Sequence, residues 1–350
     1  MALTAHDLVA RSGIGNALAM HSRGVDRADF NLLSAAYHPD ATVDYGFFAG
    51  PAETLVAILA EAQKGSPPTL HRTSNIWIKV DGDRAVSESY VIAYVEDPAI
   101  QRLVMGRYLD RHQFRDGEWK LSHRTYLLEG NTNHANTAQR ADQPVGHSHY
   151  VPSGAKGSAD PGRILLALAQ SGFAGASAMT AQPDSAALDI ALSKAAIHDL
   201  TMAYCRGVDR GDRELLDSLF HPDSTAMLGI SNGSGADFAE AIIAFVRDEL
   251  DYCFHSVANE WVEVNGDHAV GELYALAHMT KDGQDVMTGG RYLDHYERRD
   301  GVWKIKSRTF VTDWNTSHPT TLQKDGFYDA LKNWGSFGKG DPVYAHWASL

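Results

Sequence analysis

"GRYLDRHQFRDGEWKLSHRTY" (residues 106–126) and "GRYLDHYERRDGVWKIKSRTF" (residues 290–310) align without a gap and share 12 of 21 positions. Unrelated segments would share about one, so the chain carries the same module twice. In the second module Asp300-Gly301 is a hairpin signal between two strand-like arms. Upstream, "RGVDRADFNLLSAAYHPD" (23–40) returns as "RGVDRGDRELLDSLFHPD" (206–223), offset by 183. Later landmarks are offset by 184: His71 with His255, Glu88 with Glu272, Tyr90 with Tyr274, Trp119 with Trp303, Arg124 with Arg308, Asn131 with Asn315. A net one-residue change between the blocks suits a loop. We place copy one at 1–131 and copy two at 188–316.

Each copy opens on helices and closes on strands. Ile190, Ile197, Leu200 and Tyr204 fall on one helical face, and "RGVDRGD" interrupts the helix. Leu215, Leu216, Leu219 and Phe220 mark a second helix that Pro222 ends, and "ADFAEAIIAFVRDEL" a third. The pattern then turns strand-like around Asn265-Gly266, with Asp81-Gly82 in the same place in copy one. Helices followed by an antiparallel meander predict an α+β fold in each copy. The linker, 132–187, reads as loop with one possible short helix in "RILLALAQSGF" after Pro161. The tail, 317–350, is too aromatic to hang free and is expected to pack on a domain or cover a pocket.

Composition narrows the function. The 350 residues hold 31 Lys and Arg against 44 Asp and Glu, a net charge of −13, which disfavours nucleic acid as a partner. The N-terminus lacks the basic start and apolar core of a signal peptide, and no apolar run is long enough for a membrane span. Two cysteines, Cys205 and Cys253, make neither a disulfide framework nor a zinc ribbon. A cytoplasmic protein is expected.

"GVDR", "HPD", the His that opens the first long strand, "GGRYLD…ERRDGVWKI" and the closing Arg together resemble the SnoaL-like branch of the nuclear-transport-factor-2-like superfamily. The resemblance covers both copies, not the linker or tail. It implies tandem cone-shaped α+β barrels, each a curled antiparallel sheet wrapped on N-terminal helices around a pocket. It also implies pairing through the outer sheet face, which a tandem chain can make internally as a pseudo-dimer, with further homo-oligomers open. On copy one's first strand Ile76, Ile78 and Val80 alternate with Asn75, Trp77 and Lys79, so the strand has two distinct faces.

The chemical candidates are Asp26 with His71 and Asp209 with His255. A neutral imidazole accepts a proton at neutral pH, and a buried carboxylate on one ring nitrogen fixes the tautomer and stabilises the imidazolium. With no nucleophilic Ser or Cys assigned, the pair reads as a general base for C–H deprotonation. The resemblance supports this, because similar dehydratases and dehydrochlorinases use such a dyad. The competing reading is a turn Asp and a hydrogen-bonded structural His. Arg124 and Arg308 on the last strand resemble a pocket-facing Arg of the dehydrochlorinases, placed to stabilise an oxyanion or a leaving anion. A salt bridge to a neighbouring strand carboxylate is the equal alternative. His21 and Tyr204 stand five residues before each Asp, where the dehydrochlorinase pattern has Lys, which argues against dehalogenation. Tyr94 and His278 stand 23 residues after each His, where similar dehydratases place a polar pocket residue. Asn75 and Asn259, four residues beyond each His, are expected on the same strand face, where each would either touch substrate or make a structural hydrogen bond. "HPD" reads as a His at a helix C-terminus, "HSH" (147–149) lacks a paired motif, and no metal or cofactor is expected. There is no P-loop and no dinucleotide fingerprint.

The sequence therefore predicts a cofactor-independent lyase acting on a hydrophobic, aromatic or polycyclic small molecule. Elimination of the dehydratase type and C–C cleavage releasing a small aldehyde, as in catabolism of lignin-derived diaryl compounds, are not separated. An isomerase or cyclase of the ketosteroid-isomerase or polyketide-cyclase type, and a non-catalytic ligand-binding module, remain as alternatives. Persistence of Asp, His and Arg in both copies favours two working pockets.

Overall fold

The computed structural model describes residues 3–67, 69–137, 155–160 and 185–350. The "RILLALAQSGF" segment and "HSH" lie outside the described residues. Copy one runs α1 (Ala5–Asp26), α2 (Phe30–Ala35), β1 (Tyr37–Asp44), β2 (Ala49–Pro51), α3 (Ala52–Ala62), β3 (Leu70–Asp81), β4 (Arg84–Glu96), β5 (Ile100–Arg115) and β6 (Glu118–Ala135). Copy two repeats the order as α4 (Ser185–Asp209), α5 (Arg213–Leu219), β7 (Phe220–Met227), β8 (Asn232–Gly233), α6 (Gly235–Glu249), β9 (Tyr252–Asn265), β10 (His268–Lys281), β11 (Gln284–Arg299) and β12 (Val302–Pro319). A short helix, α7 (Pro342–Trp347), closes the chain. Among the described residues no helix is long and apolar enough to cross a membrane.

Each copy folds one six-stranded sheet on its helices, in the order β2-β1-β6-β5-β4-β3 and β8-β7-β12-β11-β10-β9. This is the tandem α+β plan, with one difference: β1–β6 and β7–β12 are parallel pairs, so the sheets are mixed rather than purely antiparallel. The first strand lies beside the last, and one helix, α3 or α6, crosses between it and the antiparallel meander. The hairpin residues Asp116, Gly117, Asp300 and Gly301 all take φ between 52° and 83°, the type I′ conformation that matches strand twist.

The repeated "RGVDR-x-D" motif is a helix corner. Gly24 and Gly207 let the next helix approach: an added Cβ would lie 2.7 Å from Leu33 or Leu216. Val25 and Val208 enter the two cores. The last Asp of the motif, Asp29 or Asp212, accepts from the amide of Leu32 or Leu215 at 3.1 Å and caps the following helix. The first Asp is left for the site. Both "HPD" histidines open strands instead of closing helices, and their Nε2 atoms bond the carbonyls of Gln113 (2.9 Å) and Glu297 (3.0 Å). They are structural.

The outer face of copy one's sheet packs against α4 and the edge strand β9 of copy two's sheet, where Tyr90 meets Phe254 and Ser74 bonds Ser256. The contact is not reciprocal, since Tyr274 and Leu70, the counterparts of Tyr90 and Phe254, are exposed, so it is head to tail. A β-bulge at Ser74–Trp77 shifts the phase of the strand, so that Asn75 does not share the face of His71 while the alternation beyond it holds. Asn75 sits in the left-handed region (φ 47°). Beyond it Ile76, Ile78 and Val80 turn into copy one's core, while Trp77 turns out against copy two.

The contact is charged. Arg107, fully buried, pairs with Glu88 (2.8 Å), Glu129 (2.6 Å) and Asp341 (2.6 Å). From copy two, Arg206 reaches Glu88 at 2.6 Å and Arg210 reaches Glu129 at 2.9 Å. Three guanidinium groups thus face three carboxylates without net charge, which is how buried ions are tolerated. The tail bridges the two copies: Phe337 packs on copy two's core and Lys339 and Tyr344 bond Asp212, while the rest lies on copy one. Tyr328, Leu331 and Trp334 pack on its core. Asn333 bonds Asp44 at 2.8 Å, and Val343 of α7 packs on Leu109 and Leu127 of the outer face.

Candidate active site

Asp26 and Asp209 are the last residues of α1 and α4. The negative end of a helix dipole is an unfavourable place for a carboxylate, and each is compensated by the first residues of the facing strand. In copy two Asp209 Oδ1 lies 2.6 Å from His255 Nδ1, and its Oδ2 accepts the His255 backbone N–H at 2.9 Å. In copy one the matching distances to His71 are 2.6 and 2.8 Å. Two bonds from one residue fix each carboxylate in plane and direct the Nδ1 proton toward it, leaving Nε2 as the nitrogen that the Asp does not engage.

The dyads differ in a third group that sequence reading missed. Thr69 donates to Asp26 at 2.7 Å. At the matching position Cys253 places its sulfur 3.6 Å from His255 Nδ1. Burial raises Asp26, but bonds from His71 and Thr69 outweigh it and hold the carboxyl below its usual range. Burial lowers His255, but Cys253 and Asp209 outweigh it and hold the imidazolium well above the usual histidine range. Asp209, Cys253 and His255 each bring one metal-ligating atom within 4.8 Å of the others, as do His268, His295 and Glu297 on the strand surface. The first set is already committed to the dyad hydrogen bond.

What the two histidines face also differs. His255 lines a cavity of about 670 Å³ inside copy two, walled by Tyr204, Phe238, Phe245, Tyr292 and Phe310 with the hydroxyls of Thr288 and Thr312. That volume suits a drug-sized or aromatic molecule. In copy one the same interior is filled. His21 replaces Tyr204, Tyr45 replaces Leu228 and Tyr126 replaces Phe310. Tyr45 stacks on Tyr126 at 5.6 Å, and His21 is bonded by the hydroxyls of Tyr37 (3.1 Å) and Tyr45 (3.4 Å). Burial pushes His21 well below the usual histidine range. His71 instead borders a groove of about 370 Å³ between α1 and β3. The dyad is thus duplicated, but the two histidines face different spaces: His255 the larger aromatic cavity, His71 the smaller groove.

Arg124 and Arg308 take the salt-bridge alternative. Each grips a neighbouring-strand Asp with two nitrogens, Asp110 at 2.7 and 2.7 Å and Asp294 at 2.8 and 2.7 Å. Neither borders the described cavity or groove. Arg308 lies 4.2 Å over the Tyr204 ring and 4.7 Å over Tyr292, and so backs the cavity wall; Arg124 lies 3.8 Å over Tyr108.

Tyr94 and His278 do not reach the dyads. Ala93 and Ala277 stand directly across from His71 and His255 in the sheet. The next residue along must face the other side. Tyr94 and His278 together line a separate cleft of about 100 Å³, where burial lowers His278 to about 4 and Tyr252 bonds its Nδ1. Asn75 likewise leaves the pocket. Its amide donates to the His255 carbonyl at 2.6 Å and its oxygen accepts from Val257 N–H at 2.8 Å, across the copy boundary. Asn259, at φ 49°, is exposed. The aromatic wall from α6 and from the alternate positions of β10–β12 was the missing part. Projecting strand alternation outward from His255 through Ala277 would have found it.

A curled α+β domain with a buried carboxylate–imidazole pair at the end of its first helix defines the class. The chain belongs to the SnoaL-like domain family, whose pattern matches residues 6–125 and 189–309. It is similar to the gamma-hexachlorocyclohexane dehydrochlorinase of Sphingobium indicum, 29% identical over 134 residues, or 37% of this chain and 86% of that protein. It is 28% identical over 123 residues to hexachlorocyclohexane dehydrochlorinase 1 of the same species, covering 34% of this chain and 80% of that one. Among solved structures it is similar to a Novosphingobium aromaticivorans protein provisionally named scytalone dehydratase (26% identity, 41% of this chain and 98% of that one, TM-score 0.35). The curated relatives are dehydrochlorinases, that is, lyases.

Proposed function

We propose that the chain is a lyase whose working site is in copy two. The observation that carries this is the Asp209–His255 pair in the wall of the 670 Å³ aromatic cavity. His255 Nε2 takes a proton from a carbon of the substrate, and the C–H electron pair becomes a new C=C bond. The leaving group on the adjacent carbon departs with its bonding pair. Where that group is hydroxide, the proton held by the imidazolium goes with it as water. Asp209 orients the ring and stabilises the imidazolium without itself being protonated. The step uses only groups of the chain. Tyr204, Phe238, Phe245, Tyr292 and Phe310 favour a flat aromatic or polycyclic substrate. Tyr204 in place of the Lys of dehydrochlorinases supports oxygen rather than halide as the leaving atom.

The test is incubation with hydroxylated aromatic and polycyclic ketones in deuterated water, read by mass spectrometry. Loss of one water, absent in His255→Ala, is expected. Deuterium uptake without mass loss would make the protein an isomerase. Release of a small aldehyde would make the step C–C cleavage. No turnover, with the ligand returned unchanged, would reduce the cavity to a binding site.

A further inference from the structure

His268, His295 and Glu297 form a cluster on the outer face of copy two's sheet that the dyad chemistry does not use. Their ligating atoms, one from each residue, all lie within 4.8 Å of one another. The pairing of β10 with β11 produces this. His268 stands directly opposite Glu297, and Val270 directly opposite His295. Residues two apart on a strand share a face, and paired residues point to the same side. The three side chains therefore project together, on the side where Val270 is 56% exposed. No spacing along one strand records the set, because His268 joins it from across the hairpin.

The donors are available. The two imidazole rings lie 20° from parallel with centroids 5.7 Å apart. Among the described residues neither ring has a hydrogen-bond partner, and His268 Nδ1 stands 4.0 Å from Glu297 Oε1. Arg299 Nε donates to the other carboxylate oxygen, Oε2, at 2.9 Å. That bond holds Glu297 in place and leaves Oε1 toward His268. The Glu297 side chain is 15% exposed and that of His268 66%, so the carboxylate is fixed and the ring can turn.

Two imidazoles and one carboxylate are a zinc ligand set that leaves the fourth position to water. Zinc holds such atoms at about 2.0–2.2 Å, so ligand atoms around one ion stand about 3.3 Å apart. Rotation of the exposed His268 ring draws the cluster to that spacing. Magnesium and calcium, which take oxygen ligands, do not match the two nitrogens. The Asp209–Cys253–His255 set is a poorer host, because its Asp209 Oδ1 and His255 Nδ1 already bond each other at 2.6 Å. Copy one keeps the frame without the ligands. Arg84 stands opposite Gln113 and Val86 opposite Arg111, so Arg84, Arg111 and Gln113 occupy the three matching positions. Two guanidinium groups exclude a cation there.

We propose that copy two binds one zinc ion through His268, His295 and Glu297, with water in the fourth position. The ion ties β10 to β11 just beyond the Asn265-Gly266 turn and stabilises the copy that carries the cavity. It does so at a distance from the dyad. Ala277, opposite His255, is nine residues further along β10 than His268, a path of about 30 Å along the strand.

Equilibrium dialysis of the full, untagged chain against zinc, with bound metal read by atomic absorption, tests this. The wild type is expected to take up one equivalent. His268→Ala and His295→Ala are each expected to weaken uptake at least tenfold, with circular dichroism unchanged. Cobalt in place of zinc is expected to give the visible bands of a nitrogen–oxygen site without a thiolate-to-cobalt charge-transfer band. Zinc at about 100-fold its Kd is expected to raise the thermal midpoint of the wild type by about 5 °C and to leave that of His268→Ala unmoved. Undiminished uptake in the His268→Ala, His295→Ala double variant overturns the proposal. So does a thiolate band, which would put the ion at Cys253. No uptake by the wild type at about 100 µM free zinc, 100-fold above a micromolar Kd, overturns it as well.

Discussion

Asn75 of copy one holds the backbone of His255 in copy two, donating its amide to the His255 carbonyl at 2.6 Å. The residue that the duplicated pattern offered as a substrate contact is thus a clamp on the strand of the other copy's dyad histidine. On the proposed function, copy one bears on the chemistry through this contact.

Removing the clamp should cost both stability and order at the base. Asn75→Ala leaves the His255 carbonyl and Val257 N–H without these partners in a buried setting, a loss of about 2 kcal/mol or more. It also forces Ala into the left-handed region. Urea unfolding is expected to show this loss, and turnover should fall although Asn75 touches no substrate. Unchanged stability and rate would remove copy one from the working site.

The pH dependence has a defined sign. His255 is held well above 6.5, so it must lose its proton before acting as base. The rate kcat/KM should therefore rise with pH through an apparent value above 6.5. Its contribution to stability is complete below the unfolded value and is lost as pH rises through the raised folded one. Asp26, held below 3.8, contributes stability above that value and loses it as pH falls through its folded value. Asp209→Asn should move the rate profile to lower pH and remove the alkaline loss of stability. Titration of the His255 ring proton by NMR checks both.

The cavity can be closed by copy one's own residues. Leu228→Tyr with Phe310→Tyr installs the side chains that fill copy one. The double variant is expected to stay folded, as copy one does, and to lose ligand binding and turnover at least tenfold. Full activity in it would place the reaction elsewhere.

How much of this was legible follows from the range of each interaction. The Asp26–His71 and Asp209–His255 neighbours were readable because a helix corner and a strand start, both written in short motifs, bring them together. The faces of Asn75, Tyr94 and His278 were not. A single bulged residue reverses a strand's alternation, and the partner across the sheet, Ala277 opposite His255, depends on register rather than on spacing within one strand. The filled interior of copy one depends on Tyr45, just after β1, meeting Tyr126 of β6, 81 residues further along the chain. The head-to-tail contact depends on Asp341 reaching Arg107 from the end of the chain. No local pattern records either.

That last contact carries its own prediction. Asp341 accepts from Arg107 at 2.6 Å and from Arg210 at 3.3 Å, and it caps α7 through Val343 N–H at 2.9 Å. Asp341→Ala leaves two buried guanidinium groups short of a counter-charge, at a cost of about 3–5 kcal/mol. A fall of that size in urea stability, with α7 becoming open to proteolysis, is expected. A change below about 1 kcal/mol would mean that the network does not hold the tail.

The most direct measurement is the turnover of His255→Ala and His71→Ala side by side on one substrate. The account predicts a loss of about 10²–10⁴ in His255→Ala, the range of a general base, and a rate within about twofold of wild type in His71→Ala. Equal losses in the two variants, or a loss confined to His71→Ala, would contradict it.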